Sequence, residues 1–485
     1  MSATKVNVEF LRNPRIANRN SESRITAIVG LGPVTRNIVD EAVVRGTGSV
    51  DTLSLYPSSG VSVSQISDFP GVISTAQNYV LISQGGVLYN RNSSSVNANG
   101  QITWPITSNN PDVPAPGTVY YVSYSGAVPD SQFNPEEFSD KSDILAKYGE
   151  ENNNTGILSV AGTINLENGA PSVLLVQASS SSYNEAAYKL AIDKLLKRSN
   201  VEDVVAVFPC DGSVTRAQQE VILTYLHTHF MKANTIGRER GIIYGSPTSL
   251  TATGGIDDVG DIAQAGTYCG KANSLSNEDI CYVVAGRVRR KDANGNYMEL
   301  DTNFVAAAIG GLQASLPKRS TPMHEMKLVG FELDNEKFSD SELKKLDNAS
   351  CLVVTSNDNI CEIYDSITTD NASADTQEKS VITQKRLVKR SIREGLRNEF
   401  FKGKGTVVLP YTETDIEAKT DGILNALVTV DKEIYAYGLK DDPTTGERKT
   451  IATVDPTEPR RIRVKCSIKY LYALKWIDVE VSTFV

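Results

Sequence analysis

Between residues 172 and 245 the sequence alternates between unbroken apolar runs and amphipathic ones, a pattern that demands a parallel sheet covered on both faces. Residues 172–178 read as a continuous apolar strand. Residues 185–198 read as a helix, with Ala187, Tyr188, Ala191, Ile192 and Leu195 at core spacing. A second apolar strand follows at 204–208, then a helix over 215–232 capped by Ser213 or Thr215, then a third strand, Gly241–Gly245. A strand apolar on both sides needs cover on both sides, and the crossover helices between parallel strands supply it. The sheet is expected to continue through 281–285, followed by a small-residue helix over 304–313.

The flanking segments have a different character. Val6, Val8 and Phe10 alternate with Lys5, Asn7 and Glu9, the period-2 pattern of a half-buried strand, with no neighbouring segment to pair with. Residues 25–29 read as a strand, followed by a Gly-Pro turn and a short helix reaching residue 44. From about 55 to 125 charges become scarce, and short alternating runs at 79–82, 87–89, 101–104 and 119–124 predict a small all-β module. Beyond 330 an α+β segment is expected, with a helix around 343–346, strands at 351–354 and 360–367, and long helices at 378–401 and 412–427. Ile462, Val464, Cys466, Ile468 and Tyr470 face one side of a strand, and Ile477, Val479 and Val481 repeat the pattern at the end of the sequence.

Composition narrows the function. The 485 residues carry a formal net charge of -9, which argues against wholesale binding to nucleic acid or acidic lipid. The start of the sequence has no apolar leader core, and no run reaches the length of a spanning helix. Six scattered cysteines without a CxxC fit reduced thiols in a cytoplasmic setting. Gly30 and Gly32 lie where a dinucleotide loop would, but Thr35 replaces the third glycine, so a plain turn is expected. Gly270-Lys271 lacks the following hydroxyl of a phosphate loop. His227 and His229 stand about 200° apart on their helix and cannot share a metal. No GxSxG elbow is present. The expectation is no cofactor, no metal and no catalytic site; an enzyme working with Asp and Glu alone stays open as an alternative.

The positive feature is the predicted 378–401 helix. Lys385, Arg386, Lys389, Arg390, Arg393 and Arg397 share much of one side, and Ile382, Val388, Ile392 and Leu396 form an apolar stripe. Such basic density in an acidic chain points to an anionic partner, the alternative being a solvated helix face. No aromatic residues interleave with it, which disfavours nucleic acid.

The order of these pieces resembles the tail sheath proteins of contractile phage tails and related injection machines. Tyr148-Gly149, the 158–166 segment and Asn168-Gly169-Ala170 leading into the strand near 173 resemble the approach to the family's central domain. The Phe304-Val305-Ala306-Ala307-Ala308-Ile309-Gly310-Gly311 helix, Ile367-Thr368-Thr369, Phe400-Phe401-Lys402-Gly403 and the strands after Asp455-Pro456 resemble its later parts. The resemblance implies an α/β and α+β multidomain chain: an arm at 1–22, an N-terminal domain with the β-rich module at 23–136, a non-catalytic subtilisin-like parallel-sheet domain at 137–330, a C-terminal α+β sheath domain at 331–470 and an arm strand at 471–485. It implies strand exchange between subunits through Val6, Val8, Phe10, Ile477, Val479 and Val481, and a tube-facing helix carrying Lys385, Lys389, Arg390, Arg393 and Arg397. The implied partners are further copies of the chain, a tail tube protein, and baseplate and tail terminator proteins, in a virion tail assembled in the host cytoplasm. A different tail or baseplate component is the runner-up, and an α/β nucleotide-using enzyme the third reading.

Overall fold

The computed structural model describes residues 25–52, 62–67, 95–96, 101–103, 115–127, 133–333, 338–357, 360–372, 377–401, 412–438, 450–454 and 462–471. The chain divides into two compact units, Met1–Gly30 with Pro135–Val176 and Tyr183–Val485 in the larger, and Leu31–Asn134 with Gln177–Ser182 in the smaller.

The larger unit is organised by a nine-stranded sheet. Its order is Lys327–Leu328, Ile360–Ile363, Leu352–Asn357, Ile280–Ala285, Gly241–Gly245, Val201–Ala206, Ile25–Leu31, Val173–Ala178 and Glu136–Phe138. Pairing is parallel from Ile25–Leu31 through to Leu352–Asn357, and antiparallel at the flanks. Every residue of Val173–Ala178, Val201–Ala206, Gly241–Gly245 and Ile280–Ala285 is buried. That is why three of these strands read as apolar runs, the exception being Val201–Ala206, whose Glu202 and Asp203 are buried. Ile25–Leu31, which the sequence grouped with the N-terminal segment, lies inside this sheet beside Val201–Ala206.

Small residues mark close approaches. A Cβ on Gly311 in the Thr302–Ser315 helix would lie 2.1 Å from the Asn165 carbonyl oxygen of the Ile157–Glu167 helix, and one on Gly245 would lie 2.1 Å from the Thr302 carbonyl carbon. Asn165 Nδ2 donates to the Ala307 carbonyl at 2.8 Å across the same helix pair. Gly30 belongs to this group, since its Cβ would meet Val207 Cγ2 at 2.7 Å; packing alone accounts for that glycine. The Arg216–Thr235 helix is capped by Thr215 through a capping box with Gln218, which decides between the two candidate caps. His229 is buried and its Nε2 lies 3.2 Å from Arg240 Nη1. Burial and the Arg240 charge push its pKa down to about 4, so it is neutral and accepts from Arg240. His227 instead meets Asn277 Nδ2 at 3.2 Å.

The smaller unit contains a three-stranded sheet in the order Thr35–Val44, Val119–Ala127, Ser62–Ser67, and a second in the order Val50–Thr52, Gln101–Thr103, Ser95–Val96. Thr35–Val44 corrects the helix expected there. From Glu41 to Val44 burial alternates, Glu41 and Val43 inside and Ala42 and Val44 outside, and the strand pairs antiparallel with Val119–Ala127. A buried Glu41 hides that alternation from a hydropathy reading. Asp51 ties the unit together, accepting from Tyr120 Oη at 2.9 Å and from Arg45 Nη1 at 3.4 Å. The expected runs at 79–82 and 87–89 lie outside the described residues.

Candidate functional site: a basic helix over a row of carboxylates

Parallel strands begin at one edge of their sheet, so side chains at their leading ends form a row spaced at roughly 4.8 Å. In three adjacent strands those positions are acidic: Glu202 and Asp203 in Val201–Ala206, Glu239 just before Gly241–Gly245, and Glu278 and Asp279 just before Ile280–Ala285. The Lys379–Leu396 helix lies along this row. Positions 379, 386, 390 and 393 recur at intervals of seven, four and three, which puts them on one helical face.

Each of those cations reaches a carboxylate. Lys379 Nζ lies 3.2 Å and Arg386 Nη1 3.4 Å from Asp203 Oδ1. Arg386 Nη2 also donates to Asp279 Oδ1 at 2.8 Å. Arg390 Nη1 donates to Glu202 Oε2 at 3.0 Å and Nη2 to the Glu239 carbonyl at 2.5 Å. Arg393 grips Glu239 with both guanidinium nitrogens, Nη1 at 2.6 Å from Oε2, and also donates to the Gly237 carbonyl at 2.7 Å. Lys385 closes the row on Glu278 at 2.5 Å. Lys379, Arg386 and Arg390 are at most 5 % exposed, so these pairs are held in low dielectric; within them Glu202 Oε1 and Arg390 Nε are buried without a hydrogen-bond partner.

The opposite face of the helix is apolar. Leu387 and Val388 form a core with Leu424 and Leu427 of the Thr412–Thr429 helix, and with Ile434 and Tyr437. Two short antiparallel ladders accompany this core, Ala436–Gly438 with Ser467–Lys469 and Ile451–Val454 with Ile462–Lys465. Among the described residues each ladder has two strands, and no described strand lies on its outer edges. Gln384, fully buried on the helix, donates to the Leu471 carbonyl at 2.9 Å and accepts from the Leu471 amide at 3.0 Å. Its side-chain amide pairs with the backbone as a strand neighbour would.

The five expected helix cations therefore divide. Lys385, Arg390 and Arg393 are engaged by carboxylates of the same chain, and Lys389 and Arg397 are exposed. Val6, Val8, Phe10, Ile477, Val479 and Val481 lie outside the described residues. The acidic row and Gln384 escaped the sequence reading; the only signal for them was a charged pair at the leading end of each of two apolar strands, 202–203 and 278–279.

The clasp has a pH signature. Burial pushes the Glu202 carboxyl up, but Arg319, Arg390 and Arg386 outweigh it and hold the group below its ordinary 4.5. Burial is likewise outweighed at Glu239 by the Arg393 hydrogen bonds. Carboxylates with depressed folded-state values contribute stability that is complete above their unfolded value and is lost as pH falls through the folded one. Hydrogen exchange in 379–396 is accordingly expected to stay slow down to about pH 4.5 and to accelerate below it, ahead of exchange in the central strands. Uniform acceleration of both would show that the pairs do not fasten the helix separately.

These features define a class: a protein with a large mainly parallel sheet, a clasped helix and paired open ladders. Among the described residues no group of three or more potential metal ligands occurs, and no helix is long and apolar enough to cross a membrane. Solved structures are similar in fold. The helical sheath of the anti-feeding prophage in its contracted state is similar over 73% of this chain and 90% of its own, at 11% identity and a TM-score of 0.53. The sheath complex of the extracellular contractile injection system PVC, also contracted, is similar over 73% and 87%, at 13% identity and a TM-score of 0.50. No protein-family model matches the sequence, and no curated protein matches it. The chain has the fold of contractile-injection sheath proteins.

Proposed function

We propose that the chain is a sheath subunit: it polymerises as stacked rings around an inner tube and drives that tube through a host envelope on contraction. The observation that carries the reading is the pair of two-stranded ladders, on a chain whose fold is that of sheath proteins. A two-stranded ladder is marginal alone and exposes hydrogen-bonding edges. Terminal arms of neighbouring subunits, through Val6, Val8 and Phe10 at one end and Ile477, Val479 and Val481 at the other, would complete those edges by strand addition. The parallel-sheet region would serve as the non-catalytic, subtilisin-like scaffold of each subunit. Partners would be further copies, a tube protein, and baseplate and tail terminator proteins, in a virion tail assembled in the host cytoplasm.

The test is electron microscopy of concentrated protein. Hollow striated tubes wide enough to enclose another tube would support the reading. Small closed rings would transfer it to a baseplate component.

Tube contact falls to the exposed cations. Replacing Lys389 and Arg397 with Glu is expected to leave the unfolding temperature and self-assembly unchanged while weakening co-sedimentation with the tube protein about tenfold at low salt. Unchanged co-sedimentation would remove this helix from the tube contact. Arg390 and Arg393 are unsuitable for that test, because their loss would take from Glu202 the cation hydrogen-bonded to it and from Glu239 its guanidinium partner.

A further inference from the structure

The Arg216–Thr235 helix follows Val201–Ala206 and leads into Gly241–Gly245, and those two strands are parallel. The helix must therefore start at the far end of the sheet and finish at the leading end. At 20 residues it separates the two ends by about 30 Å. Segments of opposite charge gather at them.

At the far end lies the connection over 249–266, between Gly241–Gly245 and the Tyr268–Leu275 helix. It is seated on the start of the long helix. Gly212 N donates to the Thr251 carbonyl at 3.2 Å and Arg216 N to the Thr253 carbonyl at 3.1 Å, while Thr253 Oγ1 donates to the Gly212 carbonyl at 3.1 Å. The segment contains Asp257, Asp258 and Asp261 and no cation, and all three are exposed. Leu250 and Ile262 are exposed with them, at 54% and 55%. Neighbouring cations answer part of this charge: Lys345 pairs with Asp261 at 3.2 Å, and Arg216 and Lys271 share Glu220. Asp257 and Asp258 accept from the backbone amides of Ser249 and Gly260, which leaves their charge for a partner.

At the leading end, buried Arg240 donates to the Leu195 carbonyl at 3.2 Å and to the Arg198 carbonyl at 2.8 Å, tying 194–200 to the start of Gly241–Gly245. The segments 194–200 and 231–238 carry Lys194, Lys197, Arg198, Lys232 and Arg238 and no acid. Lys197 and Lys232 are exposed, as are Met231 and Ile236, each at 55%. Carboxylates nearby are engaged: Glu202 by Arg390, Glu239 by Arg393 and Asp193 by Tyr225 Oη.

We propose that the far end of one copy docks on the leading end of the next, an inference that rests on the sheath reading and adds a contact distinct from strand exchange. Charge complementarity selects a second copy as the occupant. Each copy carries a formal charge of -9, and an alignment that sets acid end against basic end turns the general repulsion into attraction. Leu250 and Ile262 on one side and Met231 and Ile236 on the other add apolar burial, which salt does not screen. A nucleic acid would use the basic end and leave the acidic end with its exposed Leu250 and Ile262 idle. Because the two patches differ, the contact is heterologous, so each docked copy still offers one open end and the contact repeats.

The experiment uses two double variants of the full chain, K197E with K232E and D257K with D258K, and measures the concentration at which tubes form. All four sites are exposed, so the unfolding temperature should hold. D257N with D258N keeps an acceptor oxygen toward each backbone amide and serves as the check on the loop; its threshold should also rise. Either reversal alone sets like charges together, and its threshold is expected to rise about tenfold or more. An equal mixture of the two reversed variants should form tubes near the wild-type threshold. In the mixture the reversed leading end of one meets the reversed far end of the other, and the untouched ends match as before. Tubes from either variant alone at the wild-type threshold would overturn the inference. So would a mixture of folded variants that fails to recover. The sheath reading would stand in both cases. If the wild-type chain forms no tubes under any condition, the sheath reading itself falls and the docking with it.

Discussion

Asp203→Ala is expected to cost about 3–5 kcal/mol of unfolding free energy, the range for removing one partner of a buried ion pair. Asp203 Oδ1 faces both Lys379 and Arg386, at 3.2 and 3.4 Å, and all three side chains are at most 5% exposed. Truncation leaves one ammonium and one guanidinium charge beside one another, and of the two Arg386 retains a second carboxylate, Asp279. Chemical denaturation of the variant measures the loss, and Lys389→Ala is the control, with a change within about 0.5 kcal/mol at its exposed position. Replacing Asp203 and Lys379 together by Leu and Met should recover much of the loss, because packed apolar groups substitute well for a buried pair. A loss below about 1 kcal/mol for Asp203→Ala would mean that water reaches the row and that the pairs do not fasten the helix.

Removing residues 472–485 is expected to leave a folded chain that no longer polymerises. The cut spares Leu471 and its clamp on Gln384, so the unfolding temperature should hold. An arm strand that exchanges four or five backbone hydrogen bonds contributes about 1 kcal/mol for each, together about 5 kcal/mol, or several thousandfold in association constant. Deleting 1–12 should act in the same direction. Sedimentation and electron microscopy read the result, and normal tubes from either truncation would end the strand-exchange account.

The parallel sheet was legible in the sequence because a strand covered on both faces has no polar side to confuse the pattern. Gly241–Gly245 falls where expected, and Val173–Ala178 and Ile280–Ala285 begin within a residue of their expected starts. Val201–Ala206 begins three residues earlier than its apolar run suggested, since Glu202 and Asp203 are buried with cationic partners and their charge reads as surface. Thr35–Val44 was misread for the related reason that Glu41 points inward. The basic helix was legible as a feature and not as a site. Its carboxylate partners lie 107 to 188 residues away in sequence, and periodicity within a helix carries no information at that range. Basic density alone does not distinguish a face awaiting an anionic partner from one already holding it.

The Gln384 clamp has a mechanical consequence. A pull on the chain beyond Leu471 enters the structure through two hydrogen bonds to one side chain in the first half of an 18-residue helix, alongside the adjoining Ser467–Lys469 ladder. From there the load divides among ion pairs to three adjacent parallel strands. Those pairs would have to fail together under shear along the helix axis, whereas a pull perpendicular to the axis could peel them one at a time. The direction of tension on the last residues thus decides whether the subunit moves as a solid body or gives at its own seam.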